Sequence, residues 1–225
     1  MSAAKLSKLL IDSGALRFGS FVTKSGRESP YFLNFGDICD GAALERLADL
    51  YAALIMRNFD PLPEVIFGPA YKGIPLAVSI ATSLSRKSRQ GVSFSFDRKE
   101  SKAHGEGGLM VGRQITANQR VVIVDDVLTS GLSISHSLDF VGRTGAKIAG
   151  IVVGVDRCEL AAVGIATQTS AEYIQQKSGC KLWSLATIDE VTAALAADDS
   201  LKKAAGLSPQ VIESITAYRK KFGIA

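Results

Sequence analysis

The chain has 225 residues, 47% of them hydrophobic, and carries 26 Lys and Arg against 22 Asp and Glu for a net charge of +4. That length suits one large α/β unit with a subsidiary lobe, and neither a repeat nor a low-complexity run divides it. The charge is slight and dispersed, which favours small anionic ligands over nucleic acid, and no apolar run approaches the ~18 residues of a membrane span.

Lys5, Lys8 and Asp12 interrupt the first apolar positions, unlike a signal peptide, so the expected location is cytoplasmic. Cys39, Cys158 and Cys180 are odd in number and lack C-x-x-C spacing, which predicts reduced thiols behaving as small buried hydrophobes. Leu6, Leu9 and Leu10 mark one side of a short helix that Gly14 should end. Two short strands then flank Lys24-Ser25-Gly26-Arg27, a cationic turn that is either solvated or, with Tyr31 and Phe32 beside it, a binding edge. Leu44, Leu47, Ala48, Tyr51, Leu54 and Ile55 trace a core helix over 41–58. After Pro61 and Pro63, V-I-F-G-P-A-Y-K-G-I-P reads as strand, Gly-Pro loop and a helix beginning near Ile74. Lys72 at that strand exit is either a solvated loop lysine or a cation placed for a pyrophosphate.

Residues 92–97 alternate as a strand, and the charged, glycine-rich D-R-K-E-S-K-A-H-G-E-G-G-L-M-V-G that follows cannot bury itself. A loop of this length in a compact domain suggests a lid, and Arg98, Lys99, Lys102 and His104 give it cationic charge. His104 has no spaced His or Cys partners that would make it a zinc ligand, and His136 is expected to be structural.

The stretch V-V-I-V-D-D-V-L-T-S-G-L-S over 121–133 organises the rest. Four β-branched residues without polar alternation suit a strand covered on both faces, and Asp125 and Asp126 follow where that strand should leave the sheet. Ile134, Leu138 and Val141 then mark a helix, which Gly145 should end. Strand, acids, hydroxyl-glycine loop and helix form a corner suited to a phosphate, with Gly131 permitting close approach and Thr129, Ser130 and Ser133 offering hydroxyls. The two acids would repel that phosphate, so sugar hydroxyls are their natural partners. A further buried strand ends in Asp156-Arg157, where the guanidinium either meets paired acceptor oxygens of a ligand or forms a salt bridge to a nearby acid. Thr187-x-x-Glu190 is a capping box, and Ser208-Pro209 starts a closing helix through Tyr218 and Phe222.

The 121–133 motif resembles the phosphoribosyl diphosphate (PRPP) motif of type I phosphoribosyltransferases. Together with T-K-S-G-R-E-S-P-Y-F, F-G-P-A-Y-K-G-I-P and D-R-K-E-S-K-A-H-G-E-G-G, it makes nearly the whole chain similar to the orotate phosphoribosyltransferases. The resemblance implies an α/β fold with a mostly parallel sheet flanked by helices. It also implies a hood near 1–40, to which the end of the chain can add, a PRPP-binding core over about 60–160 and a flexible lid over about 97–112. The implied activity joins orotate to PRPP with loss of diphosphate; alternatives are transfer to another base, or PRPP sensing without turnover. Carried over by position, Lys24, Tyr71, Lys72 and the segment Asp125, Asp126, Val127, Leu128, Thr129, Ser130, Gly131, Leu132 and Ser133 would bind PRPP. Arg98, Lys99, Lys102 and His104 would bind it from the lid and act in catalysis with Asp125 and Asp126, while Phe32, Leu33, Thr129 and Arg157 would bind orotate. The chain departs from the family at Leu132, where a second threonine is usual, and at Leu33, where bacterial relatives commonly have phenylalanine. The resemblance further implies Mg²⁺ held mainly by substrate rather than by protein ligands, and a homodimer that shares its lids, with no nucleic-acid or membrane partner.

Overall fold

The structure, a computed structural model, describes residues 2–22, 28–99, 108–161 and 168–223. Helix α1 (Ser2–Asp12) comes first, followed by an antiparallel hairpin of β1 (Leu16–Val22) and β2 (Glu28–Leu33) that stands apart from the main sheet. Leu6, Leu9 and Leu10 are buried and Gly14 has φ +69°, so the apolar stripe and the stop fall where their spacing places them. Asp40 accepts hydrogen bonds from the Ala42 and Ala43 amides and starts α2 (Gly41–Asn58), whose stripe of Leu47, Ala48, Tyr51 and Ile55 is fully buried.

The main sheet contains β3 (Val65–Phe67), β4 (Ser93–Asp97), β5 (Met110–Gly112), β6 (Arg120–Leu128), β7 (Lys147–Asp156) and β8 (Leu182–Thr187). Their order is β5-β4-β3-β6-β7-β8, with every pairing parallel except that of the edge strand β5 with β4. The helices are α3 (Gly73–Ser88), α4 (Leu132–Gly142), α5 (Ser170–Ser178), α6 (Ile188–Ala196), α7 (Asp199–Ala204) and α8 (Pro209–Phe222). Strand β6 accounts for the unbroken run in the sequence. Val122 and Val124 pack into one core with α1, α2 and α3, whereas Val121 and Ile123 pack into a second core with Ile134 of α4 and Ile174 of α5. Burying each such side chain contributes about 1.5–3 kcal/mol.

From β3 the chain moves outward to β4 on one side, and from β6 it moves outward to β7 and β8 on the other. The junction of β3 and β6 is therefore the topological switch point, where the carboxyl ends of the strands leave a crevice.

Several boundaries differ from the sequence expectation. Strand β6 does not stop before the acids; Asp125 pairs with Val153, and the ladder continues to Leu128 opposite Asp156 because β7 is long enough to partner it. Helix α4 ends at Gly142, and Gly145, with φ +75°, closes the turn beyond it. The expected lid segment is framed by strands, since Ser95, Phe96 and Asp97 pair with Gly112, Val111 and Met110, leaving residues 100–107 outside the described residues. Cys39 is exposed and Cys158 and Cys180 are half-buried, so none of the three is the fully buried hydrophobe expected.

Candidate active site

Two loops meet at the β3–β6 junction. The first, between β3 and α3, folds back so tightly that a Cβ on Gly68 would lie 2.1 Å from the Gly73 carbonyl oxygen, and one on Gly73 would lie 2.6 Å from the Gly68 carbonyl carbon. Only glycine fits at both ends. Asp97, at the end of β4, anchors the loop by accepting a 2.7 Å hydrogen bond from the Ala70 amide. Lys72 then reaches across the junction, its Nζ 3.3 Å from Asp126 Oδ2. Tyr71 is 68% exposed, with the Lys99 ammonium 4.9 Å from its ring centroid, so Lys99 lies over this loop.

The second loop follows β6. Asp125 and Asp126 are buried, yet each turns an oxygen to backbone, Asp125 Oδ1 accepting from the Asp126 amide at 3.0 Å and Asp126 Oδ1 from the Val127 amide at 2.8 Å. Burial first, and the Asp126 charge second, push the Asp125 pKa up to about 7, while hydrogen bonds from the Asp126 amide and the Ser133 side chain oppose the rise. Tyr51 of α2, itself wholly buried, fixes the strand from below by donating to the Asp125 carbonyl at 2.7 Å. Thr129 is held through its carbonyl by the Ser170 hydroxyl. Gly131, at φ +75°, turns the chain into α4.

The helices that begin at these loops differ from the others. Helices α2, α5, α6, α7 and α8 are capped by the side chains of Asp40, Thr169, Thr187, Asp198 and Ser208. Helices α3 and α4 start at Lys72 and Gly131 with no side-chain cap. Helix α4 thus leaves its first N–H groups and positive dipole end to an anion, whereas in α3 the Gly73 and Ile74 amides already bond to the Pro69 and Tyr71 carbonyls and Pro75 has no N–H, so the positive group on that side of the acid pair is Lys72. A helix N-terminus on one side of two hydroxyl-accepting carboxylates and a lysine on the other suit a sugar phosphorylated at both ends.

Space alone would have pointed elsewhere. A cavity of about 750 Å³ between the hairpin and α8 is lined by residues such as Glu28, Ser214 and Tyr218 and by neither loop, whereas a smaller one of about 230 Å³ touches Lys72 beside Phe35, Leu47 and Leu76. The chemistry of the strand ends defines the site.

The other expected residues are distributed as follows. Phe32 is 39% exposed on the hairpin, with the Arg17 guanidinium 5.3 Å from its ring centroid, while the Leu33 side chain is buried in the core. Arg157 is buried, its Nη2 2.7 Å from Glu159 Oε1, so the salt-bridge alternative read from the sequence is present. Leu132 is 62% exposed at the start of α4. His136 is not a packed structural residue: its side chain is mostly exposed, with Nδ1 3.9 Å from Asp97 Oδ2. Lys24, Lys102 and His104 lie outside the described residues. Sequence reasoning missed Asp97, Tyr51 and Ser170 as supports of the site; they hold loop or strand backbone over 27, 74 and 41 residues of separation and leave no local pattern.

A family model described as a phosphoribosyl transferase domain matches residues 35–171, a span that contains both loops. The chain belongs to the phosphoribosyl transferase family. Among its relatives, the orotate phosphoribosyltransferase of Pseudomonas fluorescens (strain Pf0-1) is 39% identical over 218 residues, covering 96% of each chain. That of Chromohalobacter salexigens is 40% identical over 217 residues, covering 95% of this chain and 92% of its own. The crystal structure of the orotate phosphoribosyltransferase of Francisella tularensis superposes with a TM-score of 0.78 at 34% identity, covering 96% of this chain and 98% of that one. The α/β phosphoribosyltransferase fold, with its mostly parallel sheet and flanking helices, is thus common to this chain and its relatives.

Proposed function

We propose that this protein is an enzyme that transfers the 5-phosphoribosyl group of PRPP to orotate, giving orotidine 5′-phosphate and diphosphate in pyrimidine synthesis. The observation that carries the reading is similarity to orotate phosphoribosyltransferases over nearly the whole chain, combined with the uncapped start of α4 and the Lys72 ammonium on either side of Asp125 and Asp126. In this reading, the α4 N-terminus with Thr129, Ser130 and Gly131 takes the 5-phosphate, Asp125 and Asp126 accept from the ribose hydroxyls, and Tyr71 and Lys72 take the diphosphate. Phe32, the Leu33 backbone, Thr129 and Arg157 bound the base, and Lys24 adds a contact to PRPP. A ring nitrogen of orotate attacks the anomeric carbon as the bond to diphosphate breaks; the electron pair leaves with that diphosphate, and the proton of the nitrogen passes to the departing diphosphate or to water. Arg98, Lys99, Lys102 and His104 offset the negative charge developing there.

The donor set fits Mg²⁺ brought by substrate. Among the described residues no group of three acids, histidines or cysteines could cage a metal, and a hard cation that keeps waters needs little beyond diphosphate and ribose oxygens near Asp125 and Asp126. When bound, Mg²⁺ supplies positive charge at the diphosphate. Among the described residues, no helix is long and apolar enough to cross a membrane. A cytoplasmic homodimer that shares lids completes the reading. The direct check is to incubate the purified chain with PRPP, Mg²⁺ and orotate. Orotidine 5′-phosphate and diphosphate in equal amounts would support the reading, and PRPP binding without product would overturn it.

A further inference from the structure

We infer that Glu159 and Tyr218 are positioning residues for Arg157, and that through them the last helix, α8, sets the affinity for the base. The inference rests on the orotate reading proposed above.

Arg157 leaves β7 through a turn in which Asp156 Oδ1 accepts from the Cys158 amide at 2.8 Å and Cys158 adopts φ +50°, a left-handed conformation that costs a non-glycine residue energy. Helix α8 holds that turn from outside. Arg219 Nη1 donates to the carbonyls of Arg157 at 3.0 Å and Cys158 at 2.9 Å, and its Nη2 is tied to Asp189 at 2.7 Å. The Leu160 amide also bonds to the Phe222 carbonyl at 2.9 Å. The guanidinium is then fixed at one corner. Its Nη2 meets Glu159 Oε1 at 2.7 Å and donates to the hydroxyls of Ser29 and Tyr218, each at 3.3 Å, while Tyr218 donates to the same Glu159 oxygen at 2.8 Å. The Tyr31 ring, with its centroid 4.6 Å from Arg157 Cζ, supports the plane and is met edge-on by Tyr218.

All these bonds engage a single nitrogen, and Nε, although buried, has no hydrogen-bond partner among the described residues. A buried arginine held at one corner keeps a fixed plane and, because Nη2 belongs to both paired-donor edges, has single charge-assisted hydrogen bonds left to give to a carboxylate oxygen. Preorganising that plane lowers the cost of ordering it when the base arrives.

The test is steady-state kinetics on the whole chain carrying Tyr218→Phe, which keeps the ring and removes only the hydroxyl. The orotate KM should rise about threefold to tenfold, with kcat and the PRPP KM within about twofold of the parent and the melting temperature little changed. Glu159→Gln, which keeps an acceptor and removes the charge, is the second variant and should also raise the orotate KM selectively. Equal rises in both KM values, or no rise in either variant, would overturn the inference. Arg157→Lys separates it from the underlying reading. If that change raises the orotate KM while Tyr218→Phe and Glu159→Gln do not, the positioning role falls and the orotate reading stands; if Arg157→Lys leaves the orotate KM unaltered, both fall.

Discussion

At the scale of single residues, the site is governed by close approach and burial. A methyl group on Gly68 would overlap a backbone oxygen of Gly73 that no rotamer can move. Gly68→Ala should therefore open the loop that carries Lys72, cost about 1–3 kcal/mol of stability and raise the PRPP KM more than the orotate KM. Thermal melts and initial rates read both effects, and unchanged values would remove the loop from the site. Asp125 gives a pH test. Its pKa lies above the ordinary 3.8, near 7, through burial first and the Asp126 charge second, so the folded chain keeps a proton that the unfolded chain has lost. The stability this contributes is fully present below the unfolded value and is lost as pH rises through the folded one. Asp125→Asn should accordingly flatten the fall in unfolding free energy between those two pH values, measured by urea titration, and an unchanged slope would contradict the shift. Residue types alone did not show which way side chains turn. Leu33 faces the core and His136 faces solvent because strand register and helix phase decide both.

At the scale of elements, periodicity and caps made much of the fold legible. Helix α2 runs over the residues its stripe marks out, and α6 begins at the Thr187–Glu190 capping box. The extension of β6 past the acids was not legible, because it depends on a neighbouring strand that lies far along the chain. Strand β5 has three residues and α5 has nine, mostly polar, so neither carries a clear period. The uncapped start of α4 became meaningful only beside five capped helices. The described residues on either side of the proposed lid form a strand pair, with the Arg98 amide bonded to the Leu109 carbonyl at 2.7 Å. If the proposed lid cations offset charge on the leaving group, Lys102→Ala should lower kcat by roughly tenfold or more while changing PRPP affinity much less. Equal turnover in the variant would exclude Lys102 from the mechanism.

At the scale of the whole molecule, the sheet brings the β3–α3 and β6–α4 loops to one switch point, while the hairpin and α8 meet around Arg157, so in the proposed reading base and sugar phosphate are served by different parts of the chain. If lids are exchanged between two copies, mixing impaired Lys102→Ala chains with impaired Asp125→Asn chains should restore part of the activity through hybrid dimers; no recovery after demonstrated subunit exchange would contradict lid sharing. Choice of base is the central claim. Orotate carries a carboxylate that uracil lacks, and a site holding a preset guanidinium should use that charge. The decisive measurement is kcat/KM for orotate, uracil and adenine with the same enzyme, PRPP and Mg²⁺. The account predicts orotate ahead of both others by roughly a hundredfold or more, in line with a site whose buried donors go unpaired without the carboxylate; uracil or adenine used as readily as orotate would contradict it.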